Sequence, residues 1–253
     1  MKKSLIALAL VGAFAAPAAV QVAVAQEAES VHTFTANVSL VSNYRFRGID
    51  QTFGKAAIQG GFDYSHASGF YVGNWNSNVS EYAGFQDGNL EMDVYSGYRK
   101  SFGDFGIDVG GLYYYYPGSD NLKGKNDAVD NFELYIGASW KFLSFKYSHA
   151  LTDYFDLVNS KHTGYYDLSA NYDLGSGWGV NGHVGYTDVN NYSANDYTDW
   201  KLGVTKDIGG FVFGLSYIDT DAKRSVYTFT NANNGKMKYA GKATAVLSVS
   251  KSF

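Results

Sequence analysis

From Thr33 to the end of the chain, apolar residues recur at every second position, the period of a β-strand, and helical spacing is not sustained anywhere. In the first run Phe34, Ala36, Val38, Leu40, Tyr44 and Phe46 share one face, while Thr35, Asn37, Ser39, Asn43, Arg45 and Arg47 share the other. Later runs read the same way, including Ile58/Gly60/Phe62/Tyr64, Tyr71/Gly73/Trp75, Leu90/Met92/Val94/Tyr98 and Phe132/Leu134/Ile136/Ala138/Trp140/Phe142. The last is Tyr239/Ala243/Ala245/Leu247/Val249/Phe253, and the whole pattern predicts twelve strands.

The connections alternate in length. Short links fall near 66–69, 101–104, 142–144, 174–177 and 207–210, and longer polar links at 48–55, 80–89, 117–130, 152–162, 190–196 and 220–238. This predicts an all-β fold, a transmembrane antiparallel up-and-down β-barrel of about 12 strands with short periplasmic turns and long extracellular loops. On the apolar face the aromatics gather at strand ends: Phe34 and Tyr44/Phe46, Phe132 and Trp140/Phe142, Trp178 and Tyr186, Tyr239 and Phe253. Smaller apolar residues lie between them, as two interfacial girdles flanking a lipid-facing band require. A soluble barrel or sandwich would point the same face into a core and has no use for girdles. Strands about 4.7 Å apart and tilted about 40° close into a backbone ring roughly 24 Å across, leaving a lumen of roughly 10 Å.

Composition narrows the class. The chain of 253 residues has 22 Tyr, 17 Phe and 4 Trp with 29 Gly and 2 Pro, which suits pleated strands and tight turns. The absence of Cys excludes disulfides, a thiol nucleophile and a Cys-ligated metal, and no cofactor is expected. With 20 basic and 24 acidic residues there is no electrostatic footprint for nucleic acid. Lys2 and Lys3, the apolar run 5–16 and Ala23-Val24-Ala25 form an export signal cleaved before Gln26, so residues 1–25 are expected to be removed and 26–253 to form the barrel domain. A membrane anchor would need a longer and less Ala-rich run. Cleavage removes two lysines and no acid, taking the formal charge from −4 to −6.

A resemblance supports this. S-N-Y-R-F-R-G-I-D-Q-T at 42–52, K-A-A-I-Q-G-G-F-D-Y-S-H-A-S-G-F-Y-V-G-N-W-N-S-N-V at 55–79 and E-M-D-V-Y-S-G-Y at 91–98 resemble the TorF-family porins, exported proteobacterial β-barrel proteins. Beyond 98 the likeness is one of general barrel character, ending in S-K-S-F at 250–253. The family's proline near Ala56 is missing, which implies a less rigid first loop. The resemblance implies a porin role in the outer membrane of a Gram-negative bacterium, and carries no substrate.

If the apolar set faces lipid, the alternate set faces the lumen. It holds Arg45, Arg47, Arg99, Lys141, Lys146 and Lys201 with Asp63, Glu91, Asp93, Glu133, Asp167, Asp173 and Asp199, and also Tyr95, Tyr135, Tyr165 and Tyr197. Opposite charges on neighbouring strands set up a transverse field in a water-filled pore, and weak ion selectivity is expected. Arg45 and Arg47, near the outer end of the first strand, are expected to set anion access. The expected function is passive diffusion of ions or small hydrophilic solutes. A closed structural or receptor-like barrel is the alternative, with a lipid-modifying barrel enzyme behind it. Against the last, Ser148 and His149 are adjacent in a strand and point to opposite faces, and no G-x-S-x-G elbow exists. Asp120, Asn121, Asn126, Asp127 and Asp130 crowd one loop, but the Ca²⁺-binding D-x-[DN]-x-[DN]-G spacing is missing, which favours a solvated loop. The terminal Phe253 resembles the signal read by the outer-membrane assembly machinery, for which strand-edge pairing is the expected mode. Outer-membrane lipid and lipopolysaccharide complete the expected partners, and the pattern carries no signal for an oligomeric state.

Overall fold

The computed structural model describes residues 30–80, 88–119, 129–231 and 234–253. The signal segment and Asp120, Asn121, Asn126 and Asp127 lie outside the described residues. The strands are β1 (His32–Val41), β2 (Arg45–Phe46), β3 (Ile49–Asp50), β4 (Ala57–His66), β5 (Phe70–Asn78), β6 (Leu90–Phe102), β7 (Phe105–Tyr115) and β8 (Asn131–Trp140). They continue with β9 (Leu143–Ala150), β10 (Gly164–Gly175), β11 (Trp178–Asp188), β12 (Tyr197–Ile208), β13 (Phe211–Thr220), β14 (Thr228–Thr230), β15 (Met237–Tyr239) and β16 (Thr244–Ser252). Twelve of these close a barrel in the order β1-β16-β13-β12-β11-β10-β9-β8-β7-β6-β5-β4, every neighbour antiparallel. The seam joins first strand to last, and Ala36 and Phe253 exchange both backbone hydrogen bonds at 2.9 and 3.1 Å. Closure leaves no strand edge unpaired, which is what makes a sheet viable in lipid.

The outside is an apolar belt. Ile58, Leu202 and Leu247 are each more than 60% exposed, as are Phe34 and Phe62. A soluble protein does not leave so continuous an apolar surface in water. Phe34, Trp140, Trp178, Phe211 and Phe253 ring the end that carries the short turns, and Tyr113, Tyr166, Tyr186 and Tyr217 ring the other. Lys206 and Lys251 lie along Trp178 and Phe211, 4.9 and 5.0 Å from the ring centroids, so their stems cover the belt while their charges reach the interface.

Three expectations are corrected by the register. The first strand ends at Val41, and residues 42–56 form a long loop, L1, that folds inward. Tyr44 and Phe46 therefore belong to the interior rather than to a girdle. On β5 the faces are inverted: Tyr71 and Trp75 are buried inside, and Phe70 and Val72 face out. Tyr239 lies in the β14–β15 hairpin of the last long loop, so the final wall strand starts only at Thr244.

Candidate functional site

The feature that shapes the lumen is the β2–β3 hairpin of L1. Arg45 pairs with Asp50 and Phe46 with Ile49, with Arg47 and Gly48 forming the two-residue turn at φ 46 and 78. Two positive φ values are the signature of a type I′ turn. Gly48 fits for a second reason, since a Cβ there would stand 2.7 Å from Asp199 Cβ on the barrel wall.

Each side chain of the hairpin is tied down. Arg45 donates to the carbonyls of Gly48 and Ala240 at 3.1 and 2.7 Å and to Thr244 Oγ1 at 2.7 Å. Arg47 reaches across the lumen to Glu133 Oε2 at 2.7 Å and donates to Tyr154 Oη at 2.9 Å. Its guanidinium lies 4.2 Å from the Tyr165 ring centroid. Tyr44 donates to Glu91 Oε1 at 3.0 Å and packs edge-on against Trp75. Phe46 meets Tyr114 and Phe155, extending an aromatic cluster over the mouth. Asp50 accepts from Asn43 at 2.7 Å and pairs with Lys238 of the last long loop at 2.9 Å. The missing proline thus does not leave L1 loose. Burial alone would raise the Asp50 pKa, but hydrogen bonds from Lys238, Asn43 and the backbone outweigh it and hold the carboxyl below its ordinary value.

Beneath the hairpin lies an acidic layer of Glu91, Asp93 and Glu133, each at most 2% exposed. Glu133 also accepts from Tyr114 and Asn131, while neither Asp93 oxygen has a hydrogen-bond partner among the described residues.

Further down, a belt of alternating sign crosses the wall from β4 to β12. Asp63 accepts from Tyr95 at 2.6 Å, and Arg99 stands opposite Asp108 with its guanidinium 4.1 Å from the Tyr71 ring. Tyr71 donates to Asp108 at 2.7 Å and bonds Tyr135. Lys146 stands opposite Asp167, and His183 lies between Asp167 and Asp199 at 3.2 and 3.4 Å while standing opposite Lys201. Directly opposed charges on neighbouring strands attract one another, so much of the belt's field is spent internally. The remaining wall, formed by β1, β13 and β16, is uncharged inside: Thr35, Asn37, Ser39, Ser216, Ser248 and Ser250.

These surfaces enclose a cavity of ≈ 740 Å³. Its lining runs from Asp207, Gly210 and Ser252 at the short-turn rim up to Asn43, Arg45 and Arg47. Tyr154, Tyr197 and Tyr227, on the far side of the hairpin, do not line it. The space is a vestibule open to the short-turn side and ended by L1.

Several of the expected lining residues sit elsewhere. Lys141 occupies the two-residue turn between β8 and β9 at φ 55, exposed, with its ammonium 4.8 Å from the Trp140 ring centroid, because the strand had already ended. Asp173 is on the inward set of β10 but exposed at the rim, where it accepts from Gly175 N at 2.7 Å. Arg45 and Arg47 are on the inward loop, not the first strand. Glu91, Asp93 and Glu133 belong to the layer below L1, and Asp63, Arg99, Lys146, Asp167, Asp199 and Lys201 to the belt. Asp108, Trp75 and Phe155 were not expected there. Asp108 had the right strand parity, whereas Phe155 comes from the loop 151–163, whose inward fold no periodicity signals.

In fold the chain is similar to the KdgM porin, with a TM-score of 0.54 at 10% identity over 87% of this chain and 99% of that one. A structure of the KdgM porin in complex with disordered oligogalacturonate superposes with a TM-score of 0.53 at 10% identity, over 88% of this chain and 99% of that one. At this identity the likeness is one of fold. No functionally curated protein matches the sequence. Residues 25–253 match the model of Gcw_chp, a bacterial protein family of unknown function, and the chain belongs to that family.

Proposed function

We propose that the protein is a porin of the outer membrane of a Gram-negative bacterium, exported by a signal at 1–25 and serving passive diffusion of ions or small hydrophilic solutes, with L1 as its constriction. The observation that carries this reading is the ≈ 740 Å³ vestibule, with charged and polar side chains such as Asp63, Lys146, Asp167 and Lys201 in its lining, inside a closed barrel whose outside is apolar. A barrel that served only as a wall element would fill that volume with packed side chains. The resemblance to TorF-family porins agrees with it. Because the belt charges oppose one another in register, ion selectivity is weak while L1 stays docked. No group in the lumen is assigned a catalytic part.

The docked hairpin favours a second reading, a barrel closed at rest. Proteoliposomes carrying the refolded mature chain separate the two. Swelling in small sugars or amino acids at rates well above protein-free vesicles is the result expected of an open porin. Swelling that appears only when Arg47 is replaced identifies the resting barrel as closed. Assembly is proposed to use the terminal strand, whose Phe253 is 72% exposed at the seam. Outer-membrane lipid and lipopolysaccharide are the partners of the apolar belt.

A further inference from the structure

Four of the five histidines stand in two pairs, both away from the lumen. His149 is the penultimate residue of β9, on its outer face beyond Tyr147, and His162 is the penultimate residue of the loop that follows. His149 Nε2 and His162 Nδ1 are 3.1 Å apart, with ring centroids 5.2 Å apart and planes inclined by 35°. Two imidazole nitrogens bound to one ion at about 2.0–2.1 Å each, at angles between square and tetrahedral, stand roughly 2.9–3.4 Å apart. The observed separation, spanned by a hydrogen bond between the two rings, falls inside that window.

The surroundings fit ligation. The other His149 nitrogen, Nδ1, is 2.9 Å from Tyr147 Oη, and Tyr147 packs on Tyr166 with centroids 4.8 Å apart. With a metal on Nε2, the ring proton sits on Nδ1 and is donated to that hydroxyl, the outer support that ligating histidines ordinarily have. His162 is held at φ 73, a conformation disfavoured for a residue with a Cβ. His162 also lines a surface cavity of ≈ 360 Å³ with Asp153, Asn159, Lys161, Asn190 and Asn191, which leaves the pair open to water and small ligands. No group of three His, Cys, Asp or Glu that could hold a metal occurs among the described residues, so the site supplies two nitrogens and leaves the remaining positions open.

We infer that His149 and His162 form a two-imidazole site on the extracellular lip of the barrel, which binds one divalent ion of the imidazole-favouring class, Cu²⁺, Ni²⁺ or Zn²⁺. The second pair, His32 and His66, faces the other rim with centroids 5.3 Å apart and is removed from the test by His32→Gln and His66→Gln.

The experiment titrates Cu²⁺ into the untagged mature chain carrying those two substitutions, folded in detergent micelles, by calorimetry and electron paramagnetic resonance. One equivalent bound with hyperfine structure from two imidazole nitrogens is expected. His162→Gly should weaken that binding at least tenfold and remove one nitrogen, and glycine accepts the positive φ, so the barrel keeps its heat-modifiable gel mobility. His149→Gln should do the same from the other side. Absence of the equivalent in the folded barrel overturns the inference, as does a change of less than tenfold in both variants.

Discussion

Arg47 occupies the left-handed region at φ 46, and the docked side chain stands at 6% exposure against Glu133 at 2%. Strain of that kind persists only where surrounding contacts over-determine it, and here an ion pair, a Tyr154 hydrogen bond and the Tyr165 ring do so. Removing one partner of a buried pair leaves an uncompensated charge, so Arg47→Met should destabilise the folded barrel by about 3 kcal/mol. Adding Glu133→Leu should recover most of that loss, as measured by unfolding in detergent. At the next residue, Gly48→Ala is strained by its φ of 78 and clashes with Asp199. It should undock the hairpin, so that trypsin cuts after Arg45 or Arg47 in the variant and spares both in the parent. Equal resistance in the two chains would mean that the loop tolerates the added methyl. That these two arginines are polar-face residues is plain in the sequence; that they leave the wall is not. Alternation continues through Tyr44 and Phe46, and only the three-dimensional hairpin uses their parity differently.

The element that decides the lumen is L1, and its anchoring is pH-dependent through Asp50. The folded-state pKa lies below the ordinary value, so the docked hairpin is stabilised fully above that value, near 3.9, and loses the contribution as the pH falls through the folded pKa. Hydrogen exchange of L1 amides, corrected for intrinsic rates, should therefore show constant protection from pH 7 to about 4 and a loss only below it. Loss beginning near pH 6 would assign the anchoring to another group. The β5 inversion has a related cause. Trp75 is turned inward to meet Tyr44, so both faces of that strand carry aromatics and parity alone does not choose between them. Elsewhere, as on β7 at Gly106, Asp108 and Gly110, the inward face of the strand is charged or small, and the alternation determines which side meets lipid.

At the scale of the molecule, barrel closure, strand number and the sidedness of the loops were legible because they depend on period and spacing alone. The lumen was only partly so. Its charges could be placed on the inner face, but their pairing depends on register, which alternation does not encode. Register turns the expected field into a mutually opposed belt and leaves the acidic layer of Glu91, Asp93 and Glu133 beneath L1, with Arg47 on Glu133 and Tyr44 on Glu91. Displacing Arg47 should thus both widen the path and bare the acids. The reversal potential in a salt gradient should move toward cation preference in Arg47→Ala, and an anion shift would contradict this placement. Single-channel recording in planar bilayers, comparing the mature chain with Arg47→Ala, tests the central claim most directly. Small, weakly selective steps in the parent and larger, cation-preferring steps in the variant are expected. Silence of both, from barrels shown to be folded by heat-modifiable mobility, would contradict a diffusion channel constricted by its first loop.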